Sequence, residues 1–331
     1  MRMGRKRLGA TVLAAGLVIF ASARPSAAAT LELEFAGDYV ITDLGSVPGV
    51  PPLYGGLTLL SGDLDTLLIG GFANTASGVL HSIGLIRGAG DHITGFSGVS
   101  AYFADAAYND GGVVYGPGGV LFTSRWPVNE LGQLKPGSVA TDKIIDLAPF
   151  GVASSHAALN FVPAGLPGAG QMKLVSWSGG QFYTAALSPD GLGTFDISSV
   201  DDEGLSLIGG PEGFVYLPGG SPGFPLDSML VSEYSAGRIG TYAIDADGNP
   251  ILATWRSFIT DLSGAEGAFI DPVTGDFLFS TFGGGNRVIV VSGFDRPDGG
   301  QPGVVPEPSS LLLLGLGGLA SLGVRRQRRN T

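Results

Sequence analysis

The chain has 331 residues, of which 56 are Gly, 21 are Pro and none is Cys, and only 14% are charged. A hydrophobic content of 44% is enough for a real core and argues against a disordered chain, while the lack of Cys excludes a disulfide scaffold, thiolate metal sites and cysteine catalysis. Setting aside the five basic residues of the first 29 and the arginine cluster at the far end, the middle carries nine basic residues against 28 acidic ones, a charge of −19, which repels phosphate backbones and excludes nucleic acid as a partner.

Residues 1–29 read as a signal peptide. Met1–Leu8 carries Arg2, Arg5, Lys6 and Arg7, Gly9–Ala21 is almost wholly apolar, and Ala27-Ala28-Ala29 supplies small residues for cleavage. The apolar run is too short to span a bilayer comfortably, so a signal helix and export are expected.

Residues 30–296 show almost no helical periodicity. Short apolar or alternating runs separated by Gly, Pro and Asp-Gly turns predict an all-β body. Five segments share one ending: Leu68-Ile69-Gly70, Leu121-Phe122-Thr123, Leu174-Val175-Ser176, Leu230-Val231-Ser232 and Leu278-Phe279-Ser280. Their third residues are 53, 53, 56 and 48 positions apart, and a period of that size marks a repeat architecture. Each is followed by a turn and a further strand, over Val79–Ile86, Gln133–Lys135, Phe182–Leu187, Ile239–Ile244 and Val288–Ser292. Four repeats continue into another strand, around Ile93, Ile144-Ile145, Phe195 and Phe258-Ile259. The fifth cannot, because a Pro/Gly segment follows it. Val40-Ile41-Thr42-Asp43-Leu44 near the start of the chain resembles Phe258-Ile259-Thr260-Asp261-Leu262 and supplies the missing strand. The expected fold is therefore a β-propeller of five blades closed by an N-terminal strand, which protects its sheet edges without disulfides. A β-sandwich is the competing architecture.

Aligning the starts of the innermost strands gives Tyr54-Gly55, Asp105-Ala106, His156-Ala157, Glu212-Gly213 and Glu266-Gly267, spaced by 51, 51, 56 and 54. On this alignment Asp105, His156, Glu212 and Glu266 converge at the channel mouth beside Tyr54. Three acids and a histidine at close quarters repel one another unless a cation or shared proton intervenes. The oxygen donors favour calcium, and the histidine leaves zinc open. The competing reading is that these side chains are solvated or bind loop backbone. Loosely, the Glu-Gly pairs also resemble those of six-bladed lactonase-type propellers, in which such a pair holds a metal. Aromatic side chains at Phe72, Trp126, Trp177, Tyr234 and Phe282 are expected on the same face, as stacking platforms for sugars or as cover for the blade tops. Asp245-Ala246-Asp247-Gly248 starts like a calcium loop but lacks the later ligands, so a hairpin turn is expected. His81 and His92 read as structural or exposed.

Residues 297–304 form a Pro/Gly linker, and residues 305–331 form a tail. Pro306-Glu307-Pro308 precedes the apolar run Leu311–Val324, and Arg325, Arg326, Arg328 and Arg329 follow it. Fourteen helical residues cover roughly 21 Å, and Ser309, Ser310 and snorkelling arginines extend that toward a transmembrane helix. The arginines are expected to stay cytoplasmic, leaving the body outside. The tail resembles the PEP-CTERM sorting signal, made of a Pro-Glu-Pro motif, a short membrane helix and a terminal arginine cluster. That resemblance implies recognition by an exosortase-type processing enzyme of Gram-negative bacteria, transient anchoring in the membrane, and then release or surface attachment in exopolysaccharide-producing, biofilm-forming cells.

These features predict an exported surface or matrix protein that serves as a binding or structural module. The alternative is a metal-dependent hydrolase or lactonase using the acids at the mouth. No nucleophile elbow, phosphate loop or His-Glu-x-x-His helix is present in the sequence, which favours the non-enzymatic reading.

Overall fold

A computed structural model describes residues 29–295. The expected signal peptide (apart from Ala29), linker, sorting tail and transmembrane helix lie outside the described residues. Two strands open the body, β1 (Thr30–Leu31) and β2 (Val40–Gly45). The first blade is β3 (Leu57–Leu60), β4 (Asp63–Gly71), β5 (Val79–Arg87) and β6 (Ile93–Asp105). The second is β7 (Asn109–Tyr115), β8 (Leu121–Arg125), β9 (Glu130–Leu134) and β10 (Lys143–Asp146). The third is β11 (His156–Phe161), β12 (Met172–Ser176), β13 (Gln181–Pro189) and β14 (Phe195–Ser206). The fourth contains β15 (Pro211–Leu217), β16 (Ser228–Glu233), β17 (Arg238–Ala243) and β18 (Arg256–Thr260). The fifth contains β19 (Ala265–Ile270), β20 (Phe277–Thr281) and β21 (Val288–Ser292), completed by β2. The protein is an all-β, five-bladed propeller.

The repeated apolar endings arise because the second strand of each blade is buried on both faces. Successive side chains on a strand point to opposite faces. In β20, Phe277 and Phe279 face the fourth blade, whereas Leu278 faces the first. Each of the five apolar clusters fills one seam between neighbouring blades.

Closure follows the expected route. Strand β2 pairs antiparallel with β21, Val40 opposite Ser292 and Ile41 opposite Val291. The sequence did not indicate the preceding step: β1 pairs with β18, adding a fifth strand to the fourth blade. The segment between them folds back under Phe35 and Tyr39. Phe35 stacks on Phe224 at 5.2 Å and meets Phe258 edge-on at 4.9 Å, while Tyr39 packs on Phe294 at 4.5 Å. The Tyr39 hydroxyl donates to the Pro222 carbonyl at 2.7 Å. One N-terminal segment thus holds two blades together.

Candidate axial carboxylate site

The innermost strands β3, β7, β11, β15 and β19 all begin on one face of the propeller, here called the mouth. In every blade the same backbone contact marks the turn there. The N–H groups of Phe72, Trp126, Trp177, Tyr234 and Phe282 donate to the carbonyls of Pro52, Tyr108, Ser155, Gly210 and Gly264, at 3.1, 3.1, 2.9, 2.9 and 2.7 Å. Five aromatic residues therefore occupy equivalent positions, one per blade. Trp126 and Trp177 meet edge-on at 6.3 Å, as do Tyr234 and Phe282 at 6.2 Å.

Two residues beyond those carbonyls stand Tyr54, Asp110, Ala157, Glu212 and Glu266. Asp110, Glu212 and Glu266, from three different blades, bring carboxylate oxygens within 4.8 Å of one another. Their relative exposures are 0%, 6% and 1%. Both oxygens of Asp110, Oε2 of Glu212 and Oε1 of Glu266 have no hydrogen-bond partner.

Glycine makes this approach possible. A Cβ on Gly111 would lie 1.6 Å from the Glu212 carbonyl oxygen, and one on Gly213 would lie 2.3 Å from that of Glu266. The acid-Gly pairs Asp110-Gly111, Glu212-Gly213 and Glu266-Gly267 thus combine a charge aimed at the axis with backbones that touch there. Ser280 Oγ donates to the Gly55 carbonyl at 2.6 Å, joining the fifth blade to the first beside the site. Ser124 Oγ makes the corresponding link from the second blade to the Ala157 carbonyl at 2.6 Å.

Burial dominates the electrostatics. Desolvation pushes the Asp110 carboxyl up to about 7 against its ordinary 3.8, while contacts with Glu266, Glu212, Asn74 and the Gly111 amide pull the other way. Glu212 and Glu266 are driven well above the usual carboxylate range, first by desolvation and then by their acidic neighbours. The Tyr234 hydroxyl is raised by burial and then by the same three carboxylates, which links the aromatic collar to the site beneath it. Three buried carboxylates in this state need protons or a cation.

The structure brings Glu212 and Glu266 together as expected, but neither Asp105 nor His156 joins them. Asp105 is exposed at the end of β6, where its N–H donates to the Val139 carbonyl at 2.9 Å against the second blade's outer loop. Its place is taken by Asp110. His156 is one residue short of the axis: it pairs with Ser176, and the following bulge leaves Ala157 in the axial position. A shift of one residue turns a side chain to the other face of its strand. The His156 ring accordingly lies in the seam with the second blade, Nδ1 at 3.0 Å from the Glu130 carbonyl. Burial lowers its pKa to about 4, so the ring is neutral, with Nδ1–H as the donor and Nε2 unpartnered. Tyr54 is buried at an axial position but directs its hydroxyl to Val47, whose N–H donates to it at 2.9 Å. The recurring acid-Gly dipeptide was the signal that identifies Asp110.

Residues 304–329 match the family described as the PEP-CTERM protein-sorting motif, and this stretch includes Pro306, Glu307, Pro308, Arg325, Arg326, Arg328 and Arg329. The chain carries a PEP-CTERM sorting motif. A PEP-CTERM tail implies export, sorting to the cell envelope and processing by an exosortase. No curated protein matches the chain. Among solved structures, a glucose dehydrogenase is similar at 10% identity, with a TM-score of 0.43, over 77% of this chain and 100% of that one. The PQQ-bound aldose sugar dehydrogenase of Streptomyces coelicolor is similar at 13% identity, with a TM-score of 0.38, over 76% and 84% of the two chains. A putative 6-phosphogluconolactonase of Bacteroides uniformis is similar at 15% identity, with a TM-score of 0.38, over 74% and 68%.

Proposed function

We propose that this PEP-CTERM-sorted propeller is a non-catalytic binding and structural module of the cell surface or extracellular matrix, with a divalent cation held on its axis by Asp110, Glu212 and Glu266. The observation that carries this reading is the set of three buried carboxylates supplied by three separate blades, whose oxygens lie within 4.8 Å of one another with no basic side chain among them. A cation there relieves their mutual repulsion and ties the blades together at their closest approach. An all-oxygen donor set favours calcium over zinc, the more so because His156 lies apart. The collar of five aromatic residues supports exopolysaccharide as the external partner, since ring faces stack on sugars. A signal peptide over residues 1–29, a propeller domain over 30–296, a linker over 297–304 and a membrane helix within 305–331 belong to the same proposal, with a biofilm setting. The hydrolase or lactonase alternative draws less support, because the burial that desolvates the carboxylates also keeps substrate from a cation bound among them.

Elemental analysis of the purified full chain tests the reading, together with thermal unfolding in calcium and in chelator. The expected result is a single bound divalent cation whose removal lowers the unfolding temperature. Asp110→Asn and Glu266→Gln abolish both effects, and Asp105→Ala abolishes neither. Equal metal content in all preparations, or unfolding indifferent to chelator, overturns the cation assignment.

A further inference from the structure

A second group of polar side chains, separate from the axial carboxylates, lies in the seam between the third and fourth blades. Lys173 of β12 has a relative exposure of 0%, and Asn249, in the turn between β17 and β18, one of 5%. The Lys173 Nζ donates to Asn249 Oδ1 at 2.6 Å and to Thr184 Oγ1 of β13 at 2.7 Å. The Thr184 hydroxyl in turn donates to Oε1 of Glu203, on β14. Asn249 Nδ2 donates to Oε2 of the same carboxylate at 3.0 Å. The four side chains close a ring: amine, carboxamide, carboxylate, hydroxyl and back to the amine. The turn holds the carboxamide in place, because the Asn249 N–H donates to Asp245 Oδ1 at 2.9 Å. This is the hairpin turn that begins like a calcium loop.

The arrangement contains every part needed for an amide-forming reaction. Burial draws the Lys173 ammonium below its ordinary pKa, against the pull of Glu203, Asp245 and Asp247, and a neutral amine is a nucleophile. Holding amine and carboxamide side by side replaces a bimolecular encounter with a positioned one. Glu203 reaches both nitrogens, one directly and the other through Thr184.

We propose that Lys173 and Asn249 condense spontaneously into an isopeptide bond, with Glu203 as the proton shuttle. Lys173 first gives a proton through Thr184 to Glu203. Rotation of the Asn249 carboxamide then presents Cγ to the Nζ lone pair, and a C–N bond forms. Nζ loses a second proton as the tetrahedral centre collapses and the Cγ–Nδ2 bond breaks. Both protons pass by way of Glu203 to the departing nitrogen, which leaves as ammonium. Glu203 returns to carboxylate, the new amide keeps one N–H, and no oxidant or other reactant is consumed. The product is a covalent staple across two blades, in a chain whose composition rules out disulfides. It is independent of the axial cation.

The test is the mass of the full chain, purified folded, with both termini assigned from their own peptides. The expected mass is that of the sequence less one ammonia. A tryptic digest of the unfolded protein then yields a branched fragment joining the segments around Lys173 and Asn249, uncut after Lys173. Lys173→Met and Asn249→Ala each restore the full mass. Glu203→Gln, which keeps the side-chain shape, slows the ammonia loss by about 10²-fold or more, so that newly folded protein retains the full mass. A folded wild-type chain of unreduced mass that trypsin cuts after Lys173 overturns the proposal, as does ammonia loss that persists in Asn249→Ala. Loss at the wild-type rate in Glu203→Gln overturns the shuttle.

Discussion

The aromatic cluster under the N-terminal segment makes ring closure open to measurement through Phe35→Ala. Phe35 is 1% exposed and contacts Tyr39, Phe224 and Phe258, with the Arg256 guanidinium 5.1 Å from its ring centroid. Removing a buried phenylalanine ring costs about 3–5 kcal/mol when the site cannot collapse. Here one wall is backbone, because Gly223 sits against the ring: a Cβ there would be 2.7 Å from Phe35 Cε1. For a domain of this size each kcal/mol lowers Tm by about 2 °C, so calorimetry should show a fall of roughly 6–10 °C. The loss should also be local, since β1 and β2 are held to their blades through this anchor. Hydrogen exchange at amides of the β2–β21 pair, such as Thr42 and Val291, should accelerate, while β8 amides in the second blade keep their protection. A loss below about 1 kcal/mol, or acceleration spread evenly over all five blades, would refute the view that Phe35 anchors closure.

Chelator-treated protein should lose stability as pH rises. The folded pKa of Asp110 is raised to about 7 from 3.8, so its contribution is fully present below 3.8 and lost as pH climbs through 7. That is about 4 kcal/mol for this group. Calcium should restore most of it, and urea midpoints with the same pH slope with and without calcium would contradict this. Gly111→Ala should destabilise by about 3 kcal/mol or more and abolish the calcium response, because its Cβ would fall 1.6 Å from the Glu212 carbonyl oxygen; unchanged unfolding would show that the blades can part at the axis. Arg87→Ala should cost about 3 kcal/mol. The arginine bridges the first blade to the fully buried Asp271 of the fifth at 2.7 Å, and a double-mutant cycle with Asp271→Asn should recover part of the loss.

The repeat was legible because burial on both faces of the second strand writes adjacent apolar residues into every blade. The closing strand was legible because Val40-Ile41-Thr42-Asp43-Leu44 repeats the pattern of a last strand. Strand β1 was not, since Thr30-Leu31 is too short to show alternation and its partner belongs to a different blade. At the site, Glu212 and Glu266 were readable from acid-Gly pairs. Asp110 was hidden by Asp105-Ala106, five residues earlier, which fits the spacing of its neighbours better. The first blade's last strand runs 13 residues and pushes the next inner strand along the chain. His156 misled by a single residue, through a bulge that sequence spacing does not reveal. The Lys173–Asn249 contact joins positions 76 apart, one on the second strand of the third blade and one in a turn of the fourth. The strand repeat and the turn motif each show where their own residues lie but not that these two side chains meet.

The exit point of the chain has a geometric consequence for the sorted protein. The Asp295 N–H donates to Ser221 Oγ at 2.9 Å, in the connection leaving the far end of β15, opposite the collar. Eight residues separate Asp295 from the start of the motif at 304, a leash of at most about 30 Å when taut. The described chain therefore leaves the propeller on the face opposite the ring of aromatic side chains, so the sorting motif and that ring are attached to opposite sides of the body.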